Sequence, residues 1–277
     1  MRFFPKILLL ITLAVPALAQ RIVEKNYAAY FDAQRVSGSF LLYDLARDQY
    51  TAHDLRRSRQ GLLPASTFKI PNTLLALETG VVRDTAHLFR WDGTRREVEA
   101  WNRDLTLAQA LRVSCVPCYQ EIARRIGAER YRRYLAELNF GRMDVRPDNV
   151  DRFWLRGTSR VTPFEQIDFL KRLYLNQLNI AERNMELTKA LLLVAEGPGW
   201  VLRGKTGWGT PDVRPDGSWQ EGARDIGWFV GWLEQNGNAY FFATTLDALR
   251  PVPDTWSGAR RAITEQLLRQ EFGLMRP

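Results

Sequence analysis

The stretch Pro64-Ala65-Ser66-Thr67-Phe68-Lys69-Ile70-Pro71 places a serine three residues before a lysine, at the beginning of an apolar segment that continues to position 77. Residues three apart share one face of a helix, so the amine of Lys69 is within reach of the Ser66 hydroxyl and accepts its proton when uncharged. The apolar neighbours favour that state, because burial lowers the pKa of a lysine. Pro71 lacks an N–H, which predicts a first turn tighter than a regular α-helix.

Two other short motifs accompany this pair. Ser114 precedes Val116-Pro117 at a predicted helix start, and Lys205-Thr206-Gly207 follows a predicted strand, where Gly207 allows a ligand to approach the backbone. Each motif has an ordinary explanation when taken alone: the Ser66 motif fits many helix N-termini, and Ser114 fits a helix cap. The three together, in this order, are the set used by acyl-serine enzymes that react with penicillin.

The pattern of apolar residues predicts strands near both ends of the chain and helices between them. Alternation indicates a hairpin of residues 39–45 with a strand near Tyr50, and a second hairpin of 226–234 with 239–245 around Asn236-Gly237. A strand over 200–206 precedes the second hairpin, and a helix over 257–272 follows it. Helical spacing is found in the middle segments 105–113, 118–126, 129–138, 162–177 and 181–196.

These elements predict a mixed α/β (α+β) fold. One antiparallel sheet is built from both chain ends and flanked by helices, and a mostly helical domain is inserted between them. We place the mixed part at about 20–75 and 195–277, and the helical part at about 76–194, of one catalytic domain over 20–277. The length of 277 residues is sufficient for such a domain to bury its own core.

The first 19 residues have the pattern of an export signal peptide. Arg2 and Lys6 supply the positive start, residues 7–15 the apolar stretch, and Ala17-Leu18-Ala19 a small-x-small cleavage site. We therefore expect cleavage after Ala19 and export to the periplasm of a Gram-negative bacterium. No later stretch is long and apolar enough to span a bilayer, so we expect no membrane association after cleavage.

The charge pattern favours small anionic partners. The net charge is +8, but the arginines are scattered without a basic run, so we expect no nucleic-acid partner. A basic surface attracts small anions. The two histidines, His53 and His87, have no ligand-like spacing with the two cysteines, so we predict no metal site.

Further matching stretches surround the three motifs. They are Pro64 to Asn72, Trp91-Asp92-Gly93, Trp101 to Asp104, Ser114-Cys115-Val116-Pro117, Tyr119-Gln120-Glu121, Phe153-Trp154-Leu155, Lys205-Thr206-Gly207 and Ile226 to Trp232. In these stretches the sequence resembles the class D serine β-lactamases, the oxacillinases, over essentially the whole mature chain. The resemblance implies the β-lactamase-like fold of penicillin-recognising serine enzymes, hydrolysis of the β-lactam amide of penicillins and related antibiotics, and a role in antibiotic resistance.

The resemblance also implies roles for the catalytic residues. Ser66 would form the acyl intermediate, and Lys69 would act as base in the form of N6-carboxylysine, made reversibly with carbon dioxide or bicarbonate. No other cofactor is implied. Ser114 would pass a proton toward the β-lactam nitrogen. The backbone N–H groups of Ser66 and Trp208 would form the oxyanion hole.

Other residues are implied to bind the substrate or to support the modified lysine. The implied substrate-binding residues are Lys205, Thr206, Gly207, Trp208 and Arg260. Arg260 is preferred to Arg250 and Arg261 because of the surrounding sequence from Gly258 to Thr264. Trp154 would donate its indole N–H to the carbamate, while Val116 and Leu155 would line the pocket and limit water access.

Three features depart from the family pattern. Phe140-Gly141-Arg142 has an arginine where the family usually has asparagine, and the segment 208–225 is long and borders the site. The third is the pair Cys115 and Cys118, which in an exported protein fits a local disulfide or two buried thiols. A redox motif is disfavoured, because nothing else indicates a thioredoxin-like unit. On a regular helix the Cβ atoms would be about 5–6 Å apart, wider than the roughly 3.5–4.5 Å of a disulfide, but Pro117 can distort the turn.

The alternative function is a penicillin-sensing domain or a penicillin-binding protein that is acylated without fast turnover. A sensing domain of this kind would need membrane-spanning helices upstream, where this chain has only the signal-like segment. A cell-wall transpeptidase would share the three motifs but lack the Phe153-Trp154-Leu155 and Tyr119-Gln120-Glu121 context. The sequence leaves open whether the protein is a monomer or a homodimer.

Overall fold

The computed structural model describes residues 21–210, 218 and 222–276. The predicted signal peptide and most of the long segment between Trp208 and Asp225 lie outside the described residues. In the described part, no helix is both long enough and apolar enough to cross a membrane.

A sheet of seven strands is formed by the two ends of the described chain, in the order β1-β3-β2-β9-β8-β7-β6. The strands are β1 (Arg21–Glu24), β2 (Ser37–Asp44), β3 (Gln49–His53), β4 (Leu88–Phe89), β5 (Leu105–Thr106), β6 (Leu193–Gly197), β7 (Trp200–Gly209), β8 (Arg224–Gln235) and β9 (Asn238–Leu249). β1 and β3 are parallel, the other pairs of this sheet are antiparallel, and β4 and β5 form a separate small sheet. The predicted fold class is therefore confirmed.

Helices cover both faces of the large sheet. They are α1 (Ala28–Asp32), α2 (Leu55–Ser58), α3 (Lys69–Glu78), α4 (Leu107–Arg112), α5 (Val116–Ile126), α6 (Ala128–Leu138), α7 (Pro163–Tyr174), α8 (Glu182–Leu191) and α9 (Trp256–Gln270), with 3-10 turns at Ala65–Phe68 and Glu99–Trp101. On one face, the middle helices pack around α3, which is buried along almost its whole length. On the other face, α1 and α9 cover a second core. The helix α3 therefore begins between the sheet and the helical part.

Both predicted hairpins are present. β2 pairs with β3, and β8 pairs with β9 over their full lengths. The second turn holds Asn236 at φ 54° and Gly237 at φ 72°. Two consecutive residues of positive φ make the tight turn whose twist matches that of the strands, and Asn-Gly adopts it with little strain.

Two segments that were predicted as helix each contain a strand. The segment predicted as helix over 181–196 ends as helix at Leu191, and Leu193–Gly197 forms the edge strand β6 against β7. The apolar run from 191 to 195 fits a helix or a buried strand equally well, and pairing with β7 decides between them. The segment predicted as helix over 105–113 begins with strand β5, because Thr106 caps α4 through a reciprocal capping box with Gln109.

Candidate active site

The nucleophile motif forms the tight turn that Pro71 predicted. Residues Ala65–Phe68 make one 3-10 turn, which continues directly into α3. Ala65 has φ 49°, and its N–H donates to the carbonyl of Trp154 at 2.9 Å. The indole of Trp228 in β8 donates to the carbonyl of Leu63 at 2.9 Å, so the turn is tied to the sheet just before Ser66.

Ser66 and Lys69 meet inside this turn. The Ser66 Oγ and Lys69 Nζ atoms are 2.9 Å apart, and the Lys69 side chain is fully buried. Burial, with the nearby charge of Lys205 as a smaller cause, holds the pKa of Lys69 well below its ordinary value. This shift favours the uncharged amine, the form that can accept the proton of Ser66.

Polar residues that the sequence did not single out for a role support this pair. The Lys69 amine lies 5.4 Å from the ring centre of Tyr119, whose hydroxyl is 2.6 Å from Thr73 Oγ1. On the other side, the Gln166 amide donates to Thr67 Oγ1 at 2.7 Å. Tyr119 belongs to a quoted family stretch, but Gln166 sits inside an ordinary amphipathic helix, where spacing alone gives no signal.

Trp154 packs directly against the nucleophile turn. Its ring stacks on Phe68 with centroids 5.5 Å apart, and it is fully buried. Its indole Nε1 has no hydrogen-bond partner among the described residues. Buried N–H groups are nearly always paired, so this donor requires an acceptor that the polypeptide described here does not supply. Leu155 follows it and is half-buried, as is Val116 at the start of α5.

Ser114 lies in a strained backbone conformation that aims it toward β7. It has φ 55°, and it ends α4 in a Schellman motif, with Cys115 N–H donating to Ala110 O at 2.8 Å and Ser114 N–H donating to Leu111 O at 3.2 Å. Ser114 is therefore not the N-cap of α5, which is Cys115; it ends the preceding helix instead. The Ser114 Oγ lies 3.1 Å from the Nζ of Lys205.

The open edge of β7 runs past the nucleophile turn. β6 pairs with β7 only up to Arg203, so the segment from Lys205 to Gly209 has no strand partner on that side in the described chain. A methyl group on Gly207 would lie 3.1 Å from Thr67 Cγ2, and one on Gly209 would lie 3.2 Å from Ala65 Cβ. The two glycines therefore let the strand edge approach the turn that carries Ser66.

Two buried cationic side chains, Lys205 and Arg260, lie beside the open edge of β7. Burial, then the charge of Arg260, lowers the pKa of Lys205 to about 7. Burial lowers the pKa of Arg260 to about 10, and its Nη1 donates to the carbonyl of Gly207 at 2.6 Å. Neither side chain has a carboxylate partner in the part of the chain that the structure describes. Such a site is suited to an anionic ligand.

The two alternative arginines have carboxylate partners. Arg250 forms a two-pronged ion pair with Asp225, and Arg261 pairs with Glu265 on the surface of α9. Arg260 alone of the three is buried, beside the Lys205-Thr206-Gly207 segment and without such a partner among the described residues.

Cys115 and Cys118 form a disulfide, with an S–S distance of 2.04 Å and Cα atoms 5.5 Å apart. Cys115 is the N-cap of α5, with φ −55° and ψ 106°, so it lies outside the helix. The Cβ spacing of a regular helix therefore does not apply to the pair. The disulfide closes the turn that follows Ser114.

Arg142, which replaces the usual asparagine, contributes through its backbone. Its N–H and C=O groups pair with those of Arg160, both at 2.8 Å, while its side chain is exposed. Gly141 before it has φ 58°, and a methyl group there would lie 2.5 Å from Arg160 O. Over the residues that are described, no group of three or more potential metal ligands occurs.

Comparisons with known proteins agree with this geometry. The family model of the penicillin binding protein transpeptidase domain matches residues 37–269. The chain is 40% identical to the β-lactamase OXA-48 of Klebsiella pneumoniae, over 94% of this chain and 93% of that protein, and 36% identical to the β-lactamase OXA-10 of Pseudomonas aeruginosa, over 89% and 90%.

Solved structures give the same result. A class D β-lactamase from Sebaldella termitidis has a TM-score of 0.83 at 33% identity, covering 93% of this chain and 100% of that one. A class D β-lactamase from Nostoc has a TM-score of 0.81 at 39% identity, covering 90% and 99%. The chain therefore belongs to the class D β-lactamases, serine hydrolases that act on β-lactams.

Proposed function

We propose that the protein is an exported β-lactamase that hydrolyses the β-lactam amide of penicillins and related antibiotics through an acyl intermediate on Ser66, and thereby confers resistance. The observation that carries the proposal is the 2.9 Å contact between Ser66 Oγ and the amine of the fully buried Lys69. Lys69 is the base that takes the Ser66 proton as Oγ attacks the carbonyl carbon. The backbone N–H groups of Ser66 and Trp208 then stabilise the charge on the carbonyl oxygen.

Ser114 and Lys205 act on the leaving group. Ser114 Oγ donates its proton to the β-lactam nitrogen as the C–N bond breaks, and Lys205, 3.1 Å away, returns a proton to Ser114. Lys205, Thr206 and Arg260 hold the substrate carboxylate, which explains why buried cations there lack a carboxylate of the described chain.

The proposal includes N-carboxylation of Lys69 by carbon dioxide or bicarbonate. The free amine adds to carbon dioxide and releases one proton, a reaction that requires the lowered pKa of Lys69. When present, the carbamate supplies an anionic base for the water that hydrolyses acyl-Ser66. Trp154 fits as its donor, because the buried Nε1 lacks an acceptor within the described residues. Val116 and Leu155 limit the access of bulk water.

Export to the periplasm is part of the same proposal. It is supported by the positive start, apolar stretch and small-residue cleavage site of residues 1–19. Detection of a mature N-terminus at Gln20 in the periplasmic fraction would test it.

Turnover of a chromogenic cephalosporin tests the chemistry, measured with and without added bicarbonate. We expect Ser66→Ala to abolish acylation and Lys69→Ala to abolish turnover. Lys171→Ala is the matched control, because this half-buried lysine of α7 lies beside Tyr43, away from the turn. Stoichiometric acylation without turnover by the wild type would contradict the hydrolase and indicate a penicillin sensor. Turnover that is independent of bicarbonate after acid treatment would contradict the carbamate alone.

A further inference from the structure

A buried carboxylate lies next to the active site and has no role in the chemistry described above. Asp225, at the beginning of β8, is fully buried. Its two oxygens accept hydrogen bonds from Trp208 Nε1 at 2.7 Å, Thr210 Oγ1 at 2.7 Å, and Arg250 Nε and Nη2 at 2.7 and 2.9 Å. Arg250 Nη2 also donates to Thr210 Oγ1 at 3.0 Å. A buried charge with so many donors is held in one geometry.

The residue that this network fixes on the active-site side is Trp208. It directly follows the Lys205-Thr206-Gly207 segment, and 42% of it is exposed. An exposed indole would ordinarily sample several rotamers, because solvent satisfies its N–H in each of them. Here the N–H is tied to Asp225, and the ring meets Trp256 edge-on at 6.1 Å. Its orientation is therefore restricted on two sides.

The ring so held covers the cation that would receive the substrate carboxylate. The guanidinium carbon of Arg260 lies 5.9 Å from the Trp208 ring centre, and Arg260 is only 8% exposed. Trp208 and Gly227 are paired across β7 and β8, and a methyl group on Gly227 would touch Trp256, so this side of the sheet faces α9, which carries Arg260. Excluding water from a guanidinium strengthens its attraction to a carboxylate.

We propose that Asp225 and Arg250 are positioning residues that hold Trp208 as a wall over Arg260, and that this wall increases the affinity of the site for the substrate carboxylate. The inference rests on the proposed function. Thr210, two residues after Trp208, donates to the same carboxylate, so the network also fixes the backbone at the end of β7.

The chain contains a matched control for this network. Trp232 Nε1 donates to Glu234 at 2.9 Å, and Arg203 pairs with the same carboxylate, at the far end of β7 and β8. This trio has the same chemical groups as Trp208, Asp225 and Arg250. Replacing its members imposes the same chemical change at a distance from the active site.

The test compares benzylpenicillin with its methyl ester, which lacks the carboxylate. Trp208→Phe keeps a ring but removes the N–H, and Asp225→Asn removes the charge that holds Arg250. We expect each to lower the second-order rate constant of acylation by benzylpenicillin about tenfold and to change that of the ester less than twofold. The maximal turnover rate should change little, because the carboxylate is bound both in the noncovalent enzyme–substrate complex and in the acyl-enzyme.

Trp232→Phe and Glu234→Gln should leave the acid-to-ester ratio at the wild-type value. An equal loss for acid and ester would overturn the proposal and assign the network to the oxyanion hole or to general stability. No change with Trp208→Phe would also overturn it. We expect this variant to fold, because the altered ring is partly exposed and Asp225 keeps its bonds to Thr210 and Arg250. The wild-type rate with benzylpenicillin tests the proposed function separately, because positioning is read only from variant-to-wild-type ratios.

Discussion

Replacing Ser114 is expected to separate stability from activity, because the residue has a left-handed backbone conformation with φ 55°. For a residue with a Cβ atom this conformation costs roughly 1–2 kcal/mol. Glycine avoids this cost. Its unfolded chain is more flexible than that of alanine, however, which lowers the stability of the folded protein by about 0.4–1 kcal/mol. The difference leaves Ser114→Gly about 1 kcal/mol more stable than Ser114→Ala. Both variants lack the hydroxyl near Lys205, so the comparison isolates the free-energy cost of the left-handed backbone conformation.

Thermal unfolding and acylation kinetics of the two variants give the required measurements. A difference of about 1 kcal/mol corresponds to roughly 2–4 °C in melting temperature for a domain of this size. Both variants should lose activity to the same extent, roughly 10²- to 10⁴-fold, because both lack the proton donor.

Ala108→Gly in α4 is the control for the Ser114 comparison. It should lower stability by about 0.4–1 kcal/mol, since Ala108 lies in the first turn of α4, where its backbone is helical and glycine mainly adds freedom to the unfolded chain. If Ser114→Gly is no more stable than Ser114→Ala, the strain argument is refuted. If Ser114→Gly keeps wild-type acylation, the assignment of the hydroxyl as proton donor is refuted.

Three other outcomes follow from the site. Trp154→Phe removes a hydrogen-bond donor to the proposed carbamate, a contact of about 1.5–3 kcal/mol. Bicarbonate should therefore raise the melting temperature of the wild type but not that of the variant. An equal rise in both would exclude the contact. The pKa of Lys205 is about 7 in the folded protein and 10.5 ordinarily. Between pH 7 and pH 10.5, the unfolded chain therefore carries a proton on Lys205 that the folded chain lacks. The free energy of unfolding without substrate should therefore rise between pH 7 and pH 9, by at most about 1.4 kcal/mol per pH unit for this group. The rise should be smaller in Lys205→Met. A fall in the wild type would contradict the lowered pKa of Lys205. Replacing Cys115 and Cys118 with alanine removes the disulfide and should lower the free energy of unfolding, measured in urea, by only about 2 kcal/mol, since the closed loop is short. A reducing agent should lower the free energy of unfolding of the wild type by the same amount and leave that of the variant unchanged.

Local sequence was sufficient for the features that depend on neighbours along the chain. The spacing of Ser66 and Lys69 places both groups on one turn, and the missing N–H of Pro71 favours a tighter turn before α3. Asn236-Gly237 encodes its hairpin, because only a few residue types adopt two successive positive φ values.

Other features of the site depend on residues far apart in the chain. The strand β6 exists because β7 pairs with it, although its sequence fits a helix as well. Gln166 reaches Thr67 across 99 positions, and the buried environment of Lys69 is made by elements that no window of sequence contains.

The sequence by itself determined the three motifs, their order, the two hairpins and the class of chemistry, since these rest on residue type and short spacing. Only the tertiary structure decided that Arg260 is the buried arginine without a carboxylate partner among the described residues, that Cys115 lies outside its helix, and that Asp225 holds Trp208. The physical reason is that burial and ion pairing depend on which distant groups the fold brings within a few ångströms. The periodicity of a segment gives the face that is buried but not the partner it meets.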